Sequence, residues 1–409
     1  MIELNRNEKG FSIIELLIII AVLGLLGFLG WVAYQRISQA AFGSDSTSVA
    51  VKPEALMYGY FDGLSMKVNS FSLLNKQKKL LFEQNVSESD TRSRADTVLK
   101  AQVSDDKQMV AYRFGDKGEV KIIKSDGSIV REVPRSGVAS FAWRLNKTEL
   151  ILEETNYGNC DGINCEAPLN GFGSSWYLYG VTSGKETQLN MGNYSFNGLE
   201  GQSANRLYFA ASSPYDGVSP KLYSYDLNNH KVNEVSGLPK DEGIQIGFIS
   251  TSPSSKHTII SILPSDYGIN NSCTIYELDG KKLGGKIVDN ADFQCESAYW
   301  INDNEFYFDN STGPSGKITT SDNSPSGYYV LLSVFKYSFS DKKQQKVLVS
   351  DGSEVYRLLD GLPDGSFVVS NEANERNPQY KLEIRSADGS LNTSVDSSQK
   401  EILLIGSVK

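Results

Sequence analysis

The sequence predicts an all-β fold, a β-propeller of about seven four-stranded blades, preceded by one N-terminal hydrophobic α-helix. Three observations predict it. From Pro53 onward the chain alternates short β-type runs with turns, is rich in Tyr and Phe, and offers no long amphipathic helix. A unit made of a turn, an apolar strand and a hairpin recurs six times in that stretch. One long apolar run, residues 11–32, lies ahead of it.

Residues 1–10 form a short polar leader ending in Lys9-Gly10, and residues 11–42 read as a helix. Only Ser12 and Glu15 are strongly polar between 11 and 32. At about 1.5 Å per residue this run covers the ~30 Å hydrocarbon core, so it is a transmembrane candidate. Lys9 and Arg36 flank it, and Trp31 and Tyr34 supply interfacial aromatics at its far end. A carboxylate inside such a span costs a few kcal/mol, which marks Glu15 as functional and requires it to stay neutral or find a cation. An uncleaved signal anchor is one alternative. A secretory signal peptide fits less well, because no small-x-small cleavage site follows.

Lys9-Gly10-Phe11-Ser12-Ile13-Ile14-Glu15, set directly before the apolar run, resembles the processing site of type IV pilins and of the related pseudopilins of type II secretion. The resemblance implies that prepilin peptidase cuts between Gly10 and Phe11, that the new Phe11 amine is N-methylated, and that Glu15 pairs with the amine of a neighbouring subunit during assembly. Other pilin-like subunits are then partners through the helix. The chain would cross the cell membrane once before assembly and reach the pilus or cell surface afterwards. Two features differ from ordinary pilins. The leader side chains balance, Glu3 and Glu8 against Arg6 and Lys9, where such leaders are basic. The helix carries Gly24, Gly27 and Gly30 in place of a proline, a spacing that allows close packing or local unwinding. It also fades early into a linker, residues 43–53, which points to a minor or specialised pilin.

Residues 54–409 read as the propeller domain. The turn-and-strand unit appears at 104–112, 145–152, 204–210, 254–260, 302–308 and 363–369. Each copy follows a short first strand, expected at 98–103, 139–144, 194–199, 244–249, 297–301 and 355–359, and precedes a hairpin. Asp126-Gly127, Asp279-Gly280 and Asp388-Gly389 are strong hairpin signals. Four strands per unit suit a propeller blade. A seventh blade assembles from both ends of the domain, with 56–61, 66–73 and 78–82 joined by 401–408, which closes the ring and removes open edges. Six or eight blades remain alternatives, as does a set of β-sandwiches. Pro363-Asp-Gly and Ser104-Asp-Asp-Lys resemble repeats of WD-type and Tol-system periplasmic propellers, a likeness that speaks of fold more than function.

The longest insertions fall between second and third strands, at 155–175 and 309–327, with shorter ones at 211–220 and 263–272. In a propeller these loops share one face, and long loops on a rigid scaffold are where function tends to sit. They carry Asn156, Tyr157, Asp161, Tyr215, Asp216 and Tyr267, rings and amides suited to a cell-surface protein or glycan ligand. Solvated loops without a ligand are the plain alternative. Cys160, Cys165, Cys273 and Cys295 all follow the apolar run. An even, sparse set on the exported side points to two disulfides, and chain order favours Cys160–Cys165 and Cys273–Cys295 among three pairings. Four reduced, buried thiols are the alternative.

The net charge of −9 argues against nucleic acid as the main partner. No zinc-type cysteine spacing, P-loop, nucleophile elbow or H-E-x-x-H motif occurs, and only His230 and His257 are present, both expected at the surface. No cofactor or metal is expected, and no catalytic residue is assigned. The expectation is a pilin-like subunit displaying a propeller for adhesion or recognition. A membrane-anchored propeller scaffold or sensor that does not polymerise, and an extracytoplasmic glycan hydrolase, are the alternatives.

Overall fold

The computed structural model describes residues 52–62, 64–85, 98–115, 118–156, 160–161, 164–165, 173–192, 194, 196, 198–211, 221–239, 244–264, 273–290, 293–312, 331–349, 354–373 and 379–409. The leader, the expected helix and nearly all of the linker lie outside these residues. The compact unit that holds the described part runs from Ala50 to Lys409.

Seven four-stranded antiparallel sheets make up this unit, each a blade. Six follow chain order: blade 2 from Leu99 to Glu132, blade 3 from Val138 to Leu189, blade 4 from Leu199 to Glu234, blade 5 from Ile244 to Asn290, blade 6 from Phe293 to Val349 and blade 7 from Glu354 to Ser398. Blade 1 is shared. Its outer three strands are Ala55–Phe61, Ser65–Ser72 and Lys78–Asn85, and its innermost strand is Ile402–Val408. The C-terminal strand runs antiparallel to Ala55–Phe61, with Ala55 opposite Val408 and Tyr60 opposite Ile402. The first strands of neighbouring blades meet around the ring, as Leu199–Ser203 does with Ile244–Thr251.

The second strand of every blade is buried on both faces, because a neighbouring blade covers each side. Its sequence is therefore a continuous apolar run and not an alternation. Leu56-Met57-Tyr58, Leu207-Tyr208-Phe209, Phe306-Tyr307-Phe308 and Phe367-Val368-Val369 are all fully buried. Aromatic contacts knit the blades together. Between blades 3 and 4, Trp176 lies edge-on to Phe209 at 4.9 Å, and Phe196 stacks on Phe209 at 4.9 Å. Such pairs add about 0.5–1.5 kcal/mol beyond area burial.

The blade 4 first strand differs from the sequence expectation of 194–199. It is Leu199–Ser203. Tyr194 and Phe196 stack with each other at 5.9 Å and against Tyr223, so these rings anchor the connection between blades. The strand itself is Leu-Glu-Gly-Gln-Ser, whose Gln202 amide donates to the Trp143 carbonyl at 2.5 Å.

His257 also departs from expectation. It is half-buried between blades, stacked on Phe339 at 4.1 Å, with Nδ1 2.7 Å from Glu277. A histidine that starts a strand facing the next blade finds a ring to cover it. His230 is exposed in its hairpin turn, at φ 57°.

Candidate recognition face

Strand direction divides the propeller into two faces. First strands run toward one face, second strands return from it, and third strands approach it again. First-to-second and third-to-fourth turns therefore lie on one face, called proximal here. Second-to-third connections and the links between blades lie on the other, the distal face.

The chain leads into the propeller on the proximal face. The Glu54 amide donates to the Val408 carbonyl at 2.8 Å, and the Leu73 amide donates to the Glu54 carbonyl at 2.8 Å. The first-to-second turns beside it share one design. In blade 2 the Ser104 amide donates to Met109 O at 2.8 Å and the Lys107 amide donates to Ser104 O at 2.9 Å. Blade 5 repeats this with Ser252, His257 and Ser255, and blade 7 with Leu362, Ser366 and Gly365. Turns also link across blades: the Asn146 amide donates to Asp105 Oδ2 at 2.6 Å, and the Ser254 amide to Asp303 Oδ1 at 2.8 Å.

The distal face carries the insertions, as expected. Residues 157–172 follow Glu149–Asn156, 212–220 follow Arg206–Ala211, 265–272 follow Thr258–Pro264 and 313–330 follow Glu305–Thr312, each a second strand. Each insertion stands on a paired stem: Asn156 lies opposite Gly173, and Thr312 opposite Leu331. A small hairpin sits within the first insertion, with Cys160 opposite Cys165 and Asp161 opposite Asn164.

Buried polar side chains brace these stems just below the distal face. Arg113, fully buried, donates to the Val138 carbonyl and, at 3.0 Å, to the Ala139 carbonyl on the first strand of blade 3. Glu153 accepts from Ser140 Oγ at 2.5 Å and Ser174 Oγ at 2.6 Å. Asp309 accepts from the Ser297 amide at 2.8 Å and hydroxyl at 2.7 Å. In blade 7 Asn371 donates to Glu354 at 3.1 Å and Glu383 at 3.3 Å, while Arg385, at the proximal end of the third strand opposite Phe367, donates to Glu383 at 2.5 Å and lies over the Tyr356 ring. Burial, with the hydrogen bond to Glu354, pushes the Tyr356 phenol up to about 12. Burial and the nearby charges of Asp360 and Asp309 raise Tyr299 as well. Arg135, on the link between blades 2 and 3, holds Glu154 at 2.5 Å and Glu186 at 2.9 Å over the face of Tyr177. A polar group buried at a stem is stable only when paired, so these groups fix geometry. Sequence reading missed them. Their signal was a charged residue directly after an apolar triplet at Arg113, Glu153 and Asp309.

The sequence-predicted site residues fall as follows. Gly10, Phe11, Glu15, Tyr157, Tyr215, Asp216 and Tyr267 lie outside the described residues. Asn156 ends a second strand and Asp161 sits in the small hairpin. Cys295 is fully buried and disulfide-bonded, and Cys273 opens the third strand of blade 5. Among the described residues no cluster of three or more His, Cys, Asp and Glu could hold a metal ion, and no helix is long and apolar enough to cross a membrane. Among them, a cavity of about 530 Å³ is proximal, between Leu73 and Leu362.

Residues 5–29 match the family model for the prokaryotic N-terminal methylation motif. No curated protein matches the chain. Several solved structures share its fold. An oligogalacturonate lyase in complex with manganese is 13% identical, with a TM-score of 0.50 over 78% of this chain and 82% of that one. The acylaminoacyl peptidase of Pyrococcus horikoshii is 11% identical, with a TM-score of 0.53 over 83% of this chain and 49% of that one. The β-propeller domain of the Trilobed protease from Pyrococcus furiosus is 12% identical, with a TM-score of 0.52 over 84% and 95%. That domain is described as having an open velcro topology, whereas Ile402–Val408 closes the ring here. At these identities the likeness concerns fold alone. The chain is thus a seven-bladed β-propeller carrying an N-terminal methylation motif of the kind found in type IV pilins.

Proposed function

We propose that this chain is a pilin-like subunit, minor or at a filament tip, that displays its propeller outside the cell for adhesion or recognition. One observation carries the reading: the chain leads into the propeller at the proximal face, while the long insertions leave from the distal one. A head attached this way presents its variable loops away from its attachment. The methylation motif at residues 5–29 supplies the delivery half of the reading.

Prepilin peptidase cuts between Gly10 and Phe11, the Phe11 amine is methylated, and Glu15 meets the amine of a neighbouring subunit. The ligand, a cell-surface protein or a glycan, meets Asn156, Tyr157, Asp161, Tyr215, Asp216 and Tyr267. The Cys160–Cys165 and Cys273–Cys295 bonds hold the loops, and no catalysis is required of the site.

Intact mass of the chain in a sheared filament fraction tests this. The expected species lacks residues 1–10 and carries one methyl group. A chain found only in membranes with Met1 still present would sink the reading. Turnover of any glycan by residues 52–409, abolished by a carboxylate substitution, would replace recognition with catalysis.

A further inference from the structure

The proximal face has a second property, its charge. Lys147 and Lys185 on blade 3, Lys231 on blade 4, Lys256 and Lys281 on blade 5, and Lys342 on blade 6 all lie on or beside its turns and are exposed. None of the six makes an ion pair among the described residues. The arginines of the same arc are neutralised: Arg144 is held by Glu149 at 2.5 Å and Arg206 by Asp226 at 2.8 Å. Three acids share these turns, Asp279, Asp303 and Asp341, and Glu277 stands beside them. The neutral donors that bond Asp303 and Asp341 leave their charges in place. The six lysines still outnumber these four acids, so the arc keeps a positive excess.

This contrasts with the chain as a whole, which carries a net −9. The distal connections are acidic in sequence. The link between blades 1 and 2 includes Glu88, Asp90 and Asp96 against Arg92 and Arg94, and that between blades 4 and 5 includes Asp241 and Glu242 against Lys240. An anionic surface therefore attracts one face and repels the other, so charge orients the head as well as holding it.

We propose that the proximal face is a docking surface for an anionic phospholipid bilayer, held through the lysine arc on blades 3 to 6. Residues 52–54 join the propeller on this same face, and the apolar run at 11–32 precedes them by a short linker. A bilayer that accepts that run is present at high effective concentration, which makes lipid the favoured anion over nucleic acid or an acidic protein. Tethered lysines next to an anionic leaflet add attraction that falls off within a Debye length. The head would lie flat on the membrane until the subunit is drawn into a filament, its distal loops facing outward. This setting rests on the pilin-like reading; the surface chemistry does not.

Residues 52–409 hold all seven blades and both strands that close the ring, so the fragment is complete as a fold. Its sedimentation with phosphatidylcholine vesicles, with and without phosphatidylglycerol, tests the surface. Binding is expected only with phosphatidylglycerol, weakening as salt rises. K147E/K256E/K281E should lower it by about tenfold or more. K100E/K221E/K400E, the same charge change at distal strand ends and links, should lower it far less, with thermal unfolding of both triple variants unchanged. No binding to anionic vesicles, equal loss in the two triples, or tighter binding of duplex DNA through the same lysines would each overturn the proposal. If the fragment ignores vesicles while the mature chain still lacks residues 1–10, the docking surface falls and the pilin-like reading stands.

Discussion

On the proximal face, blades 2, 3, 5 and 7 close their first-to-second turns with the same pair of backbone hydrogen bonds. On the distal face, second-to-third connections range from residues 62–64 in blade 1 to residues 313–330 in blade 6. Both faces belong to the same strands, so strand pairing alone does not explain the difference. A short turn must reverse the chain within the spacing of two strands and keep their register, which leaves few geometries. A long insertion must only return to its stem, and its closure entropy grows slowly with length. Uniformity marks where the fold is specified, and variation marks where it is free to change.

Three perturbations test that contrast, beginning with the largest. Gly389 sits in a proximal turn at φ 86°, and a Cβ there would lie 2.1 Å from the Val347 carbonyl oxygen. Gly389→Ala should cost about 2–3 kcal/mol in urea unfolding, and a change under ~0.5 kcal/mol would show that the turn yields. Ser104 is next. Its buried hydroxyl accepts from the Met109 amide at 3.0 Å and donates to Asp106 at 2.5 Å. Ser104→Ala should cost about 1 kcal/mol by the same measurement, whereas Ser128→Ala, at an exposed turn position, should cost almost nothing. The smallest effect is expected distally. Replacing residues 157–172 by an Asn-Gly turn between Asn156 and Gly173, which already face each other, should change stability by less than ~0.5 kcal/mol. A loss above ~2 kcal/mol would make that insertion part of the core and erase the distinction between the faces.

The fold was legible because a few residues carry local physics that tertiary context cannot override. Asp126-Gly127, Asp279-Gly280, Pro363-Asp-Gly365 and Asp388-Gly389 all became turns, with Gly127, Gly280, Gly365 and Gly389 at positive φ. The shared blade was readable because Ile402–Ile405 form an apolar run outside the six repeated units. Blade 4 was misread where Tyr194 and Phe196 imitate a strand, since rings that pack and rings that pair look alike in sequence. The insertions were locatable by length, but the buried braces at Arg113, Glu153, Asp309 and Asn371 were not. Burial of a polar residue depends on a partner in another strand or blade, which no local window contains. The lysine arc escaped for the same reason: its members are separated in sequence and gathered only by the return of each turn to one face.

Blade 1 borrows its innermost strand, Ile402–Val408, from the far end of the domain. Synthesis runs from the N-terminus, so Ala55–Phe61 must wait through six later blades before its neighbour exists. Until then Leu56 and Tyr58 face solvent along an unpaired edge, a stretch liable to stick to other chains. A chain broken anywhere before Ile402 forms a ring that never locks. The closing strand thus works as a length check, separating whole propellers from fragments.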